Sequence, residues 1–185
     1  MTSFARLLSL AALATLPAWN AVPQPFSIAS GTVRVAGTSN VHDWRCTSSR
    51  PTGSFQGEAN GTSLTSVSNL TVTIPVATLD CRNGTMNSNL RRAMNASAQP
   101  TVRFALASAT VSGRTISGNG QLTINGTTKP VAIRAEAQAA DGGGFRLTGS
   151  VPVVMSQFGI TPPVAMMGTM RTGDRVTVSF DVVVR

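Results

Sequence analysis

The sequence has few charged and few aromatic residues, and it has no tyrosine. Charged residues make up 12% of the 185 residues and aromatic residues 5%, whereas glycine occurs 17 times. This composition favours an all-β domain over a helical bundle with charged outer faces. The chain is long enough for one domain with a sizeable hydrophobic core.

No segment of the sequence is long and apolar enough to cross a bilayer, which takes about 20 residues. The most apolar segment, residues 7–16, follows Arg6 and has the length of a signal-peptide core. The sequence therefore predicts a cleaved signal peptide over residues 1–21 and one domain over residues 22–185. The location predicted from this is the periplasm or the medium.

Groups that perform catalysis are scarce. His42 is the single histidine, and the seven carboxylates are spread along the chain. A hydrolytic triad needs a nucleophile, a base and an orienting acid in contact, and Asp43 would point away from His42 in a strand. His42 is either a turn residue that hydrogen-bonds the backbone or a general base. We expect no enzyme, no cofactor and no metal site.

Positive charge exceeds negative charge, with 15 Lys and Arg against 7 Asp and Glu, a net charge of +8. Such a surplus can attract anionic lipid headgroups or nucleic acid. The basic residues are scattered, however, and no aromatic residues lie between them. We therefore expect a solvated basic surface with no nucleic-acid partner. Transient contact with a membrane surface and the oligomeric state are left open.

The two cysteines, Cys46 and Cys81, are 35 residues apart. An even pair in an exported chain is typical of a disulfide. There is no C-x-x-C motif. The sequence therefore predicts one Cys46–Cys81 disulfide with a structural role.

Residues 118–137 have the strongest local pattern in the chain. Leu122 and Ile124 alternate with polar residues, as in a strand with one buried face. Asn125-Gly126 follows, a dipeptide typical of a tight hairpin turn. Apolar residues at 131, 133 and 135 continue the alternation. This segment therefore predicts a long antiparallel hairpin.

The rest of the chain alternates short strand patterns with turn residues. Strands are predicted at residues 32–35, 53–59, 70–76, 102–111, 145–153 and 176–184. Met86, Leu90 and Met94, at positions i, i+4 and i+8, predict one short helix, which should end before Pro100. The total is about eight antiparallel strands, the number whose closure leaves an interior fit for one small ligand.

Three motifs resemble the YceI-like family. They are LTINGTTKPV at residues 122–131, GTSNVHDW at residues 37–44, and the helix that is followed by Pro100 and Phe104. The resemblance implies an exported, lipocalin-like, eight-stranded antiparallel barrel with one short crossing helix. It also implies a polyisoprenoid, isoprenoid quinone or fatty amide as ligand. The residues themselves indicate only a long, apolar ligand.

Candidate ligand-binding residues are those on the inward parity of the strands, on the helix, and in a methionine-rich loop at residues 156–173. They are Trp44, Leu90, Met94, Phe104, Leu106, Leu122, Phe145, Leu147, Met155, Phe158, Met166, Met167 and Met170. Because methionine is flexible and polarizable, the loop is either a lid or packing against the barrel rim. Trp44 either closes one end of the barrel or stacks on the ligand.

Two other functions compete with lipid binding. A structural or stress-related exported barrel would have a filled interior and no ligand. A soft-metal protein would use the methionines and His42 for Cu(I), although MMGTM lacks the repeated Met spacing of such sites.

Overall fold

The computed structural model describes residues 22–165 and 168–185, so the predicted signal peptide, Met166 and Met167 lie outside the described residues. The described strands are β1 (Gln24–Ser39), β2 (Trp44–Ser48), β3 (Thr52–Asn60), β4 (Ser63–Pro75), β5 (Thr101–Ser112), β6 (Thr115–Ile124), β7 (Thr127–Ala139), β8 (Phe145–Val154), β9 (Val164–Ala165) and β10 (Met170–Val184). They are joined by one α-helix, α1 (Gly84–Ala93), and by 3-10 helices at Val76–Thr78 and Met155–Phe158. Across these ranges no helix combines the length and apolarity that a bilayer span requires.

Eight strands close into an antiparallel barrel. Their order is β1-β3-β4-β5-β6-β7-β8-β10, and β10 pairs back with β1 from Ile28↔Val184 to Ser39↔Thr172. This confirms the predicted eight-stranded antiparallel barrel with a single short helix. Closure removes the free strand edges that favour aggregation.

Two short strands were not predicted. β3 pairs only with the start of β1, at Gln24–Ser27, and β2 pairs with the second half of β1, at residues 33–37. β9 pairs with the first residues of β10. β2 has five residues, WRCTS, and β9 has two. Neither strand is long enough to show a clear alternation of apolar and polar residues.

The hairpin of β6 and β7 is the one predicted. Asn125 and Gly126 have φ values of 48° and 75°, the positive pair that a type I′ turn requires. Pro130 is the fourth residue of β7. It lies in the half of β7 that β8 does not pair with, since that pairing covers only Ala135–Ala139. Proline is tolerated where a strand edge has no ladder partner.

Irregularities in the sheet explain why other predicted strands were too short. β1 has 16 residues, but its register shifts between Ile28 and Ser30, beside Gly31 with φ 137°. Such a bulge interrupts the period-2 pattern, so the sequence predicted only residues 32–35. Val76, predicted as the end of a strand, instead begins a 3-10 helix and is buried.

An aromatic cluster closes one end of the barrel. The Phe26 ring stacks on Phe55 with centroids 5.0 Å apart, and it meets Phe145 edge-on at 5.7 Å. All three side chains are buried in the same core cluster. We call this the aromatic end.

The opposite end is covered by α1 and by the chain between β8 and β10, and we call it the helix end. Here the prediction of a long loop over residues 156–173 is wrong. The segment holds a 3-10 helix, β9 and the start of β10. Met155, Phe158 and Ile160 are buried in a second core cluster with residues of β6, β8 and β10. Residues 155–160 are therefore fixed by packing against the barrel.

The disulfide between Cys46 and Cys81 is present. Beside it, Thr47 N–H donates to the Asp80 carbonyl at 2.9 Å, and Asp80 N–H donates to the Thr47 carbonyl at 3.0 Å. Together these bonds join β2 to the segment that leads into α1. The disulfide therefore anchors the start of the helix to the barrel.

Reducing the disulfide should lower the free energy of unfolding by about 3–4 kcal/mol, the chain-entropy value for a 35-residue loop. Urea unfolding with and without reductant measures this difference. The Cys46→Ala/Cys81→Ala variant is the control, because reductant should leave its unfolding midpoint unchanged. Equal midpoints for the reduced and oxidised wild-type protein would contradict this role.

Candidate ligand-binding cavity

A cavity of about 560 Å³ lies inside the barrel. Every one of the eight barrel strands contributes apolar side chains to its wall, for example Val35 from β1, Val72 from β4, Ile133 from β7 and Val178 from β10. These side chains lie on the inward parity of their strands, because successive residues of a strand face opposite sides of the sheet. The wall is therefore almost entirely apolar.

Glycines in the barrel wall leave room for the aromatic rings. A Cβ atom added to Gly149 would lie 2.5 Å from the Phe180 ring, and one added to Gly120 would overlap the Phe104 ring. Phe180 pairs directly with Gly149 across β10 and β8. Each ring thus rests against bare backbone instead of projecting further inward. Both rings line the cavity from this position against the wall.

The helix α1 borders the cavity with its apolar face. The Asn83 side chain caps its start, accepting a hydrogen bond from Met86 N–H at 3.0 Å. Met86, Leu90, Ala93 and Met94 all line the cavity, yet no residue of the helix is fully buried. The helix therefore borders the open cavity, while Ala93 and Met94 at its C-terminal end also pack against the second core cluster.

The polar groups of the lining are few and come from segments at the helix end. They are Ser39, His42, Asn83, Thr85, Asn89 and Thr172. Trp44 lies beside them, with its ring against Gly37 and its Nε1–H donating to the Thr38 carbonyl at 3.2 Å. The cavity is thus polar at one mouth and apolar along its length.

His42 is an exposed turn residue. Its ring Nδ1 lies 2.9 Å from the Asp43 carbonyl, the ring's one hydrogen bond to the described residues, and its backbone N–H donates to Ser39 Oγ. In the described part of the chain no hydroxyl, thiol or carboxylate side chain is bonded to this imidazole. Nor does any group of three His, Cys, Asp or Glu side chains there come together as metal ligands would.

The structure brings most of the predicted ligand-binding residues to the cavity wall. Those that line it are Trp44, Leu90, Met94, Phe104, Leu106, Leu122, Leu147, Met155 and Met170. Phe145 and Phe158 do not line it, because they are packed into the two core clusters. Met166 and Met167 lie outside the described residues.

Other wall residues were not selected from the sequence. Among them are Val72, Ile74, Val131, Ile133 and Phe180. Each shares the inward parity of its strand, so the alternation that predicted the strands could also have found them. The sequence does not distinguish inward residues beside the cavity from inward residues packed into the core.

Asp174 holds the covering segment to β10. Its carboxylate accepts hydrogen bonds from Ser156 Oγ–H at 2.5 Å and from Ser156 N–H at 2.8 Å. These two hydrogen bonds lower the pKa of Asp174 below its usual value, and the bond from the Ser156 side chain has the larger effect. The charged Asp174 carboxylate thus helps to hold the segment that covers the helix end.

The stability of the folded protein should therefore fall in acid as the Asp174 carboxylate becomes protonated. Because the pKa of Asp174 is lower in the folded state, its contribution is complete above the unfolded pKa of about 3.9 and is lost as pH falls through the folded value. Asp174→Asn should show a smaller loss of thermal stability than wild type between about pH 5 and pH 2. Asp141→Asn, on an exposed turn, is the control and should keep the wild-type slope. Identical slopes for wild type and Asp174→Asn would exclude this role.

The fold is similar to several solved structures. Burkholderia cenocepacia BcnA has a TM-score of 0.66 at 20% identity, covering 84% of this chain and 96% of that one. A polyisoprenoid binding domain from Saccharophagus degradans, implicated in plant cell wall breakdown, has a TM-score of 0.64 at 8% identity, covering 86% and 97%. The Campylobacter jejuni YceI protein has a TM-score of 0.53 at 18% identity, covering 69% and 77%. At these identities the likeness shows the fold alone.

No curated protein matches the sequence. The family model of the YceI-like domain matches residues 26–184, which span the barrel from β1 to the last residue of β10. The chain therefore belongs to the YceI-like domain family.

Proposed function

We propose that this protein binds and carries a long apolar ligand inside its barrel without changing it chemically. The observation that carries the proposal is the cavity of about 560 Å³, whose wall is apolar and whose polar groups lie at one mouth. Ligand sites are typically apolar cavities of about 300–1,000 Å³ with a few polar groups that orient the ligand.

The energetics of an empty interior support the same proposal. Core cavities cost about 24 cal/mol per Å³ in mutational series, so a dry, unoccupied cavity of this size would cost on the order of 10 kcal/mol. That is comparable with the whole stability of a domain. A barrel with a purely structural role gains nothing from such a space, whereas a carrier needs it.

An apolar chain would gain enough free energy from this wall to bind. Burying about 300 Å² of apolar surface at about 25 cal/mol per Å² contributes about 7 kcal/mol before the costs of ordering. Met86, Met94, Met155 and Met170 lie in the lining. Since methionine adapts to irregular shapes, this part of the wall suits a flexible ligand.

The proposed class of ligand rests on the apolar wall of the cavity and on the family to which the chain belongs. The S. degradans relative in fold is described as a polyisoprenoid binding domain. For this chain we propose an isoprenoid chain, an isoprenoid quinone or a fatty amide. No assembled catalytic group borders the cavity among the described residues, which supports binding rather than turnover.

We also propose that the protein is exported and meets its ligand at a membrane surface. The Cys46–Cys81 disulfide supports an oxidising compartment, and residues 1–21 have the pattern of a signal peptide. The net charge of the full chain is +8 and becomes +7 when Arg6 is removed with residues 1–21, which favours contact with anionic lipid surfaces.

The test is a titration of delipidated protein with farnesol, followed by fluorescence. Trp44 lines the cavity, and it is the sole tryptophan once residues 1–21 are removed. Farnesol should shift the Trp44 emission saturably, with one ligand bound per chain. Calorimetry should show a negative heat-capacity change, as expected for buried apolar surface. Absence of saturable binding by both methods would refute the proposal.

A further inference from the structure

The charged side chains divide unequally between the two ends of the barrel. Beside the first core cluster, at the aromatic end, lie the carboxylates of Glu58, Glu136, Asp141 and Asp181. The basic residues of the same end are Arg114, Arg134, Arg146 and Arg185. The positive and negative charges of the aromatic end therefore cancel.

The helix end has an excess of positive charge. Its arginines are Arg45, Arg82, Arg91, Arg92, Arg171 and Arg175, and its carboxylates are Asp43, Asp80 and Asp174. These two groups account for all seven carboxylates, so the basic residues that remain add only to the positive charge. Among the described residues the one ion pair, Arg146 with Asp181, lies at the aromatic end. The positive surplus thus surrounds the end that carries the mouth of the cavity.

Two exposed valines stand on the rim of this end. Within the part of the chain that the structure describes, the large hydrophobic side chains that are mostly exposed are Val22, before β1, and two others. These are Val41, which is 61% exposed, and Val164, which is 62% exposed. Isolated exposed valines are common on protein surfaces, but two beside one opening form a patch.

Pairing with β10 brings the two valines together. Asn40 N–H donates to the Arg171 carbonyl at 3.1 Å, and Arg171 N–H donates to the Asn40 side-chain carbonyl at 2.8 Å. These bonds fix the residue before Val41 to one edge of β10. Val164 pairs with Arg171 across the other edge. The valines therefore flank the start of β10, and the exposed Arg171 lies between them.

The neighbours of these exposed residues line the cavity. His42 follows Val41, Pro163 precedes Val164, and Met170 precedes Arg171, and all three neighbours contribute to the cavity wall. The two valines and Arg171 are thus on the outer side of the opening. Any flat surface that contacts them would lie across the mouth.

We propose that the helix end is a docking surface for an anionic bilayer, and that the protein docks with its mouth towards the lipid. Basic residues are attracted by the negative surface potential of such a bilayer, and apolar side chains among them enter the boundary between headgroups and acyl chains. A soluble acidic partner would match the arginines but not the valines beside the opening. The inference rests on the proposed function, since this orientation serves the transfer of an apolar ligand.

Co-sedimentation of the delipidated protein with lipid vesicles tests this surface. One set of vesicles contains phosphatidylglycerol and phosphatidylcholine in equal parts, and the other contains phosphatidylcholine alone. The charge variant is Arg91→Gln/Arg92→Gln, in the last turn of α1. Its control, with the same change in charge, is Arg114→Gln/Arg134→Gln at the aromatic end. All four of these arginines are exposed.

A second pair of variants tests the apolar part of the surface without a change in charge. The rim variant is Val41→Ser/Val164→Ser. Its control is Val22→Ser, because Val22 is also exposed and precedes the part of β1 that pairs with β3 beside Phe55. Farnesol titration of every variant measures whether the cavity is intact.

We expect wild type to bind the anionic vesicles at least about tenfold more tightly than the neutral ones, because each basic residue near an anionic surface favours binding. The charge variant should lose about tenfold of this affinity. The rim variant should lose at least about threefold, because less apolar surface is buried. Both controls should stay within about twofold of wild type, and all variants should keep their affinity for farnesol.

Equal affinity of wild type for the two kinds of vesicle would overturn the inference, and so would equal losses in the variants and their controls. The proposed function fails separately. Wild-type protein that binds the anionic vesicles through the helix end but takes up no farnesol would refute ligand carriage and leave the docking surface in place.

Discussion

Val72→Trp should reduce the affinity for an apolar ligand by at least tenfold while the barrel remains folded. Val72 lies on the inward face of β4, opposite Phe104 of β5. It lines the cavity but belongs to neither packed core cluster. The indole would therefore extend into the space that the ligand needs, at an overpacking cost of no more than about 1–3 kcal/mol. Farnesol titration by calorimetry measures the affinity, and circular dichroism measures the melting.

The matched control for this change is Thr71→Trp. Thr71 is the neighbour of Val72, and its side chain is exposed on the outward face, opposite Ala105. The same large side chain placed there should leave farnesol affinity within about twofold of wild type, a difference well below 1.4 kcal/mol. If Val72→Trp binds as well as Thr71→Trp, the ligand does not occupy the barrel interior.

Gly149→Ala should lower the free energy of unfolding by about 2–3 kcal/mol, as small-to-large changes in packed sites do. The added Cβ would lie 2.5 Å from the Phe180 ring and 2.6 Å from the Arg134 carbonyl oxygen. A ring can turn aside, but a backbone carbonyl of the adjacent strand moves only if the pairing of β7 with β8 moves. Urea unfolding measures the change.

Gly84→Ala is the control for the loss of a glycine. No atom lies within 4 Å of a Cβ built on Gly84, in the first turn of α1. Alanine there should be neutral or stabilising by up to about 1 kcal/mol, because it favours the helix. A Gly149→Ala variant as stable as Gly84→Ala would show that Phe180 and β7 do not crowd this position. The same crowding means that a larger residue at 149 would disturb the wall itself, so Val72 is the better site for blocking the cavity.

Local patterns were sufficient to predict much of the fold. The hairpin at Asn125-Gly126 and the helix through Leu90 follow from short-range rules, and the structure has both. The strands around Gly31 and residues 170–175 were missed or shortened because bulges and polar side chains break the alternation there. β2 was missed because its five residues are too few to show a clear alternation, and because its contact with Asp80 is distant in sequence.

The cavity depends on information that a sequence pattern does not contain. Inward parity identified Leu106, Leu122 and Leu147 as wall residues, and they line the cavity. The same rule selected Phe145, which is packed at the aromatic end, because parity gives the direction of a side chain but not its depth along the barrel.

Native mass spectrometry of the protein purified from its source cells tests the central claim most directly. The account predicts a co-purifying, lipid-sized mass bound one per chain, which organic extraction releases and the Val72→Trp variant lacks. Wild-type protein that is consistently empty, and that also fails to take up farnesol after purification, would contradict the claim that the barrel is a lipid carrier.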